Sequence, residues 1–461
     1  MNQAKKIITI SLFLAVFVFA GFGCKGLTAE QQAATQPINL EYWTVADDVD
    51  AINALIGQYK VSRPYLNITL RQLSAGELYQ RLIEALAEDR GPDIISINSR
   101  VFPKFLSKLA PMPGLVSDTT VQVIKGQLGT TTNVSLNSVV MPTVLDIDRN
   151  YIKTVKKDVV FDNRIYGLPL SMDTMALYYN KDLLDKAGVA EPPKTWTDFQ
   201  DAVKKSSRFN KQTNKITQAG VAMGVGSNIP GFDDLLYILF RQSNVNMVDA
   251  NGRAIFNLYG DNNDNPTESV LNFFSDYANS TRDTYTWNES LPNALDNFIN
   301  GASVFYFGYS YDLPVIQARG PQINLGILPI PQLDPEASVN VANYWIQSVV
   351  GKSTKQNEAW GLINFLAYSS ANKSYLDATG RPTALRAYIN AQKGTLELLP
   401  FVEQLLVADN WYRGTDYDAA KKALSDMLHN WLQAPPEDDL SVSEWHQNLM
   451  NIAAETINQT L

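Results

Sequence analysis

The chain has 461 residues, 45% of them apolar, a single cysteine and a formal charge of −9. That length is enough for two or three structural units with sizeable cores. The acidic balance argues against a nucleic-acid partner, which selects a basic face, and one cysteine excludes an internal disulfide.

Lys5 and Lys6 precede an apolar run over residues 7–20, followed by Gly21-Phe22-Gly23-Cys24. The run of 14 residues is shorter than the roughly 20 a membrane-spanning helix needs. A basic start, a short apolar core and small residues at a cut site predict a secretory signal over residues 1–23. The cut site resembles the lipobox of bacterial lipoproteins, with Phe22 and Gly21 in place of its small residue and leucine. The resemblance implies that Cys24 carries lipid and that the protein is extracytoplasmic and anchored to the cell membrane. Removing Lys5 and Lys6 leaves 36 basic against 47 acidic residues, a mature charge of −11.

Residues 24–37 are small and polar and predict a flexible tether. Residues 40–44 read as a strand. Val49, Ile52, Leu55, Ile56 and Tyr59 recur at helical spacing, and Pro64 ends that helix. Ile68 and Leu70 mark a second strand. Leu78, Leu82, Ala85 and Leu86 mark a second helix, and residues 93–97 a third, buried strand. Strand and helix in alternation predict a mostly parallel sheet covered by helices. Ligands of such sheets lie beyond the carboxyl ends of the strands, where Trp43, Asp47, Asn98, Ser99 and Arg100 fall. Residues 118–145, rich in Thr, Ser and Asn, predict helix and loop.

Met175, Leu177 and Tyr179 alternate with Thr174, Ala176 and Tyr178, a strand just after Asp173. Residues 181–187 form a short helix closed by Gly188, and Thr195 caps the next one. Residues 261–266 read as a surface turn. Residues 271–277 and 295–299 read as helices. Residues 304–307 form a strand that delivers Tyr309 and Tyr311 to its end. Residues 323–330 and 345–350 are further strands, 357–367 a helix, and the tail is helical.

The run Tyr-Gly-Leu-Pro-Leu-Ser-Met-Asp-Thr-Met-Ala-Leu-Tyr-Tyr-Asn-Lys from Tyr166, with Pro-Pro-Lys-Thr-Trp-Thr-Asp-Phe ending at Phe199, resembles the first lobe crossing of bacterial extracellular solute-binding proteins. Gly-Pro-Asp-Ile-Ile from Gly91 resembles their strand with a cleft-facing loop. Phe-Ile-Asn-Gly-Ala-Ser-Val-Phe-Tyr-Phe-Gly ending at Gly308 resembles the strand leading to their aromatic ligand contacts. Asn-Tyr-Trp-Ile-Gln-Ser-Val-Val-Gly-Lys-Ser-Thr from Asn343, with Ala359-Trp360 and Phe365-Leu366, resembles the return crossing. Gly-Arg-Pro-Thr from Gly380 resembles the loop after it. Five motifs in order span nearly the whole mature chain.

The resemblance implies a two-lobed α/β periplasmic-binding-protein-like fold of type II, with two mixed sheets flanked by helices. It puts the first lobe at 38–173 with 346–390 and the second at 177–343 with 391–461. Crossings near 173–176, 343–347 and 388–394 form the hinge. It implies a monomeric, cofactor-free substrate-binding lipoprotein of an ABC importer, which closes on a small solute and delivers it to a permease.

A sugar ligand needs forked polar groups for its hydroxyls and rings for its apolar faces. Asp47, Asp173 and Arg381 could supply the first. Trp43, Tyr309, Tyr311, Trp345 and Trp411 could supply the second. Asn98 stands at a strand end. Asp233 and Asp234 either face the cleft or cap the helix beginning near Leu235. The loop Ser-Ile-Asn-Ser-Arg ending at Arg100 lacks the aromatic that sugar binders of this family often carry, so Arg100 leaves open a carboxylate or phosphate ligand. Two rivals stand beside the sugar transporter: a surface glycan hydrolase, and a sensory or charged-solute binder of the same fold.

The enzyme motifs fail one by one. Gly351-Lys-Ser-Thr354 ends like a P-loop, but Ile346 stands where its first glycine belongs. Asp261, Asn263 and Asn265 begin like a calcium loop, but Pro266 and Asn272 replace its glycine and glutamate. His429 and His446 are the only histidines, without a spare cysteine for zinc. No Gly-x-Ser-x-Gly elbow is present. Paired carboxylates stay open, since 47 acids are available.

Overall fold

The computed structural model describes residues 27–45, 48–126, 129–258, 265–436 and 440–461. Cys24, Asp47 and most of the predicted turn at 261–266 lie outside them. Two hydrophobic cores organise the chain, one per lobe.

In the first lobe, parallel strands Leu66–Gln72, Ile38–Thr44 and Ile94–Asn98 lie in that order. Trp345–Val350 joins antiparallel beside Ile94–Asn98 and in turn pairs with Leu109–Ala110 and Leu168–Pro169. The helices Val49–Val61 and Ala75–Ala87 bury the residues their spacing selects: Ile52, Leu55, Ile56 and Tyr59 on one, Leu78, Leu82 and Leu86 on the other.

The second lobe orders its strands Arg208–Phe209, Ile216–Val221, Ser303–Gly308, Ala176–Asn180 and Leu325–Pro329. Ser303–Gly308 is buried along its whole length. Its core is dense in rings: Phe199 lies 5.2 Å from Phe305 and meets Trp196 edge-on at 5.6 Å. Thr195 caps the helix Trp196–Ser206 as its sequence predicts. Its hydroxyl accepts from the Asp198 N–H at 3.1 Å, and the Asp198 carboxylate accepts from the Thr195 N–H at 3.3 Å.

A small sheet joins the lobes. Asp173–Thr174 runs antiparallel to Asn340–Asn343, which runs parallel to Ala408–Asp409. Leu398, Val402, Leu405 and Ala408 pack in the first core, while Trp411 and Tyr412 pack in the second. Phe401, between Leu398 and Val402, instead packs in the second core, 5.9 Å from Tyr178. The stretch 398–412, past the expected 388–394, thus packs against both cores.

Two other segments differ from expectation. Residues 118–145 were expected as helix and loop. Instead Leu115–Gly126 and Gly129–Val140 form a long hairpin, in register from Leu115 opposite Val140 to Gly126 opposite Gly129. Runs of Thr and Val are stiff at χ1 and favour extended backbone. Within the expected tether, Ala29–Ala34 is helical, opened by a capping box between Thr28 and Gln31. Gln31 Nε2 donates to the Val134 carbonyl at 2.9 Å and so ties that helix to the hairpin.

Candidate ligand-binding cleft

A cavity of about 290 Å³ lies at the hinge, lined by Val45, Asp48, Asn98, Leu170, Ser171, Asp173, Tyr311, Asn343, Tyr344, Trp345, Gln347, Tyr375, Arg381 and Pro382. Strand ends, a helix start and the small hinge sheet position these side chains.

Asp48 precedes the helix Val49–Val61 but makes no side-chain cap bond there. Its Oδ2 accepts instead from the Tyr375 hydroxyl, while its Oδ1 is buried without a hydrogen-bond partner. A buried carboxylate oxygen left unpaired is costly, and a donor in the cavity would satisfy it. Tyr375 sits on Ala371–Thr379, a helix that Gly380 ends in the left-handed conformation, with φ of 62°. Few other residues tolerate that turn, and it brings Arg381 to the cavity wall.

Asp173 is the best-connected group of the site. Its Oδ2 accepts from the Ser310 N–H at 2.8 Å and the Ser310 hydroxyl at 2.6 Å, and its Oδ1 accepts from the Thr174 N–H at 2.9 Å. Burial pushes its carboxyl up to about 7, against the opposing pull of Ser310 and Arg381. Asp312, which accepts from the Tyr309 N–H at 2.9 Å, is pushed up to about 6 by the same cause.

The polar groups of the first lobe are held from behind. Gln347 Oε1 accepts from the Tyr42 hydroxyl at 2.6 Å and lies 2.5 Å from Ser96 Oγ. Asn98 Nδ2 donates to Asn343 Oδ1 at 3.1 Å, and Asn343 Nδ2 donates to the Tyr311 hydroxyl at 3.4 Å. Tyr344 donates to Asp158 at 2.7 Å. Of the four rings in the lining, Tyr344 and Tyr375 are buried, and the more open two are Trp345, half-buried, and Tyr311, 38% exposed. Tyr311 stacks on Tyr309 at 5.2 Å, and the Arg381 guanidinium sits 5.9 Å from its ring.

Of the residues singled out in the sequence, Asn98, Asp173, Tyr311, Trp345 and Arg381 come together on this cavity. Arg100 and Tyr309 stand just behind its wall. Arg100 pairs with Asp234 at 2.6 Å, so its charge faces a protein carboxylate and not the cavity. Asp233 is fully buried and bonded to Lys421 at 3.0 Å and to the Tyr417 hydroxyl. Trp43 is in the first core, its indole N–H donating to Glu41 at 2.6 Å. Trp411 is in the second core, edge-on to Tyr412 at 5.3 Å.

Sequence reasoning missed Asp48, Ser171, Tyr344, Gln347 and Tyr375. Gln347 carried a signal: it lies two residues from Trp345 on a strand otherwise apolar apart from Ser348, so the two share a face. No group of His, Cys, Asp or Glu among the described residues could hold a metal ion.

Comparison with known proteins agrees with this architecture. The family described as bacterial extracellular solute-binding protein matches residues 67–395. A putative binding protein of Brucella abortus is 44% identical over 55 residues, 12% of this chain and 13% of that protein. A multiple sugar-binding protein of Streptococcus mutans is 23% identical over 248 residues, 52% of this chain and 56% of that protein. A maltodextrin-binding protein of Bacillus subtilis is 27% identical over 261 residues, 52% of this chain and 55% of that protein. The matched stretches thus span little more than half of these relatives at most.

Two solved structures cover nearly the whole chain. A cyclo/maltodextrin-binding protein complexed with maltotetraose has a TM-score of 0.67 at 15% identity, over 92% of this chain and 97% of its own. A solute-binding protein of Thermotoga lettingae bound with α-D-tagatose has a TM-score of 0.65 at 18% identity, over 91% and 99%. At such identities the likeness is one of fold: two α/β lobes of the type II periplasmic-binding-protein kind.

Proposed function

The chain belongs to the bacterial extracellular solute-binding proteins, and on that premise we propose that it captures a small neutral sugar between its lobes. It then passes the sugar to an ABC permease and performs no chemistry on it. One observation carries the reading. Trp345 from the first lobe and Tyr311 from the second share a cavity with Asp48, Asp173, Gln347 and Arg381. Rings for the sugar faces and forked acceptors and donors for its hydroxyls are what such a ligand needs. A neutral ligand is favoured over a charged one because Arg100 is already neutralised by Asp234, and Arg381 shares the cavity lining with the carboxyls of Asp48 and Asp173. The named sugars of the relatives and of the similar structures point the same way.

In this reading the three hinge passages let the lobes close on the ligand. Cys24 carries the lipid that keeps the monomer at the outer face of the cell membrane. Cys24→Ser then releases the protein into the soluble fraction or blocks its processing. A variant that stays membrane-bound and fully processed removes the anchor from the proposal.

A thermal-shift screen of neutral sugars beside charged solutes tests the binding itself, since a ligand of the native state raises apparent stability by RT ln(1 + [L]/Kd). The expected result is a shift with a neutral sugar that is recovered intact after long incubation. A shift with phosphate esters or carboxylates alone moves the protein to the charged-solute class, and cleaved sugar makes it a hydrolase.

A further inference from the structure

Resting on the reading of the cleft as a sugar site, we infer that the Arg100–Asp234 pair is its end wall and restricts the protein to sugars of about one or two rings. Arg100 follows the strand Ile94–Asn98 of the first lobe, and Asp234 stands in the first turn of Phe232–Gln242 in the second. The pair therefore spans the gap between lobes. Arg100 Nη2 lies 2.6 Å from Asp234 Oδ1, with side chains 11% and 2% exposed.

The pair is held on both sides. Tyr309 donates its hydroxyl proton to Asp234 Oδ2 at 2.5 Å, and Arg100 Nη2 donates to the same hydroxyl at 3.3 Å. The Arg100 guanidinium lies 5.3 Å from the Tyr417 ring, and the Tyr417 hydroxyl donates to Asp233, which Lys421 neutralises. Two acids and two cations balance, with both carboxylates buried and Lys421 reaching solvent at 34% exposure.

This cluster is continuous with the cavity wall. The Arg100 N–H donates to Asn98 Oδ1 at 3.1 Å, and Tyr309 stacks on Tyr311. Asn98 and Tyr311 line the cavity, whereas Arg100, Asp234 and Tyr309 do not. The space thus ends where the ion pair begins. Its volume of about 290 Å³ is at the small end of the roughly 300–1,000 Å³ typical of ligand sites.

A longer chain entering between Asn98 and Tyr311 would have to part a buried pair and strand the Asp234 carboxylate. Separating such a pair costs far more than displacing water from an open groove. Discrimination against long ligands then comes from what they must break, not from what short ones gain.

Calorimetric titration tests this with two series: glucose, maltose and maltotetraose, and mannose, mannobiose and mannotetraose. Each is titrated into the wild type, Arg100→Ala, and the double variant Arg100→Ala with Asp234→Ala. The double variant removes the carboxylate that the single change would leave unpaired, so a folded comparison is retained. The wild type is expected to bind the best one- or two-ring sugar at least about tenfold more tightly than the tetrasaccharide of its series, and the double variant to narrow that ratio by about tenfold. Tightest wild-type binding of a tetrasaccharide, or a ratio unchanged in the double variant, overturns the inference and leaves sugar binding intact. Silence of the wild type to every sugar of both series, with a response to a charged solute, overturns the sugar reading and this inference with it.

Discussion

The first lobe lines the cavity with Asp48, Asn98, Trp345, Gln347, Tyr375 and Arg381, whereas Tyr311 is the second lobe's single contribution beyond the hinge. Both lobes are rich in rings, but they use them differently. In the second lobe Trp196, Phe199, Phe305 and Phe307 pack on one another, and Trp411 is buried in the same core beside Tyr412. In the first lobe the polar lining is held by a second layer, with Tyr42 and Ser96 behind Gln347. The difference teaches that an aromatic near a strand end is a ligand contact only where polar groups converge beside it. It also predicts that the first lobe supplies most of the affinity and the second mainly closes the site.

The sharpest way to break this comparison is Trp411→Ala. Trp411 is 5% exposed in the second core, so truncation is expected to cost about 3–5 kcal/mol of stability. The affinity of the molecules that remain folded should not change. Denaturant unfolding beside calorimetry checks it, and lost affinity at full stability would return Trp411 to the cleft.

Trp345→Ala should act in the opposite sense. A stacking ring of this kind contributes on the order of 1–3 kcal/mol, so Kd for the bound sugar should rise roughly 5- to 150-fold. The unfolding midpoint should move less than in Trp411→Ala. Tyr311→Ala should weaken binding less, by about fivefold, because its ring is one face of a pair with Tyr309. Equal or larger loss at Tyr311 would contradict the unequal walls.

The smallest effect concerns pH. Asp173 and Asp312 have folded values raised to about 7 and about 6 by burial, from 3.8. Between these limits the folded protein holds protons that the unfolded chain has released. Their contribution to stability is therefore full below about pH 4 and is lost as the pH rises through 6 to 7. Asp173→Asn should flatten the stability profile across that window, as urea unfolding at stepped pH would read. A profile as steep as the wild type's would remove Asp173 as its source.

Much of the fold was legible in the sequence because period and composition are local. Leu78, Leu82 and Leu86 mark one helix face, and Val304 to Phe307 mark a buried strand. The hairpin at 115–140 was not, because its exposed Thr, Ser and Asn lack a strong apolar alternation. Val116 and Val134 are its buried valines. The stretch 398–405 was not legible because its side chains declare their burial but not which core receives them: Phe401 goes to the second, Leu398, Val402 and Leu405 to the first. Of the expected site residues, those at the two well-marked crossings and after Gly380 line the cavity. Asp48 and Tyr375 were not expected there, since their partnership joins residues 327 apart in the chain. Trp43 was misplaced because a strand end has two faces, and Trp43 turns its ring to Glu41 and Arg71 and away from the cavity.

The most direct measurement is a crystal structure grown with the neutral sugar that gives the largest thermal shift. The account predicts one or two rings in the hinge cavity. A ring face should rest on Trp345, hydroxyls should lie within hydrogen-bond reach of Asp48 Oδ1 and Arg381, and the Arg100–Asp234 bridge should be intact beyond them. A sugar bound elsewhere, or one that threads between Arg100 and Asp234, would contradict it.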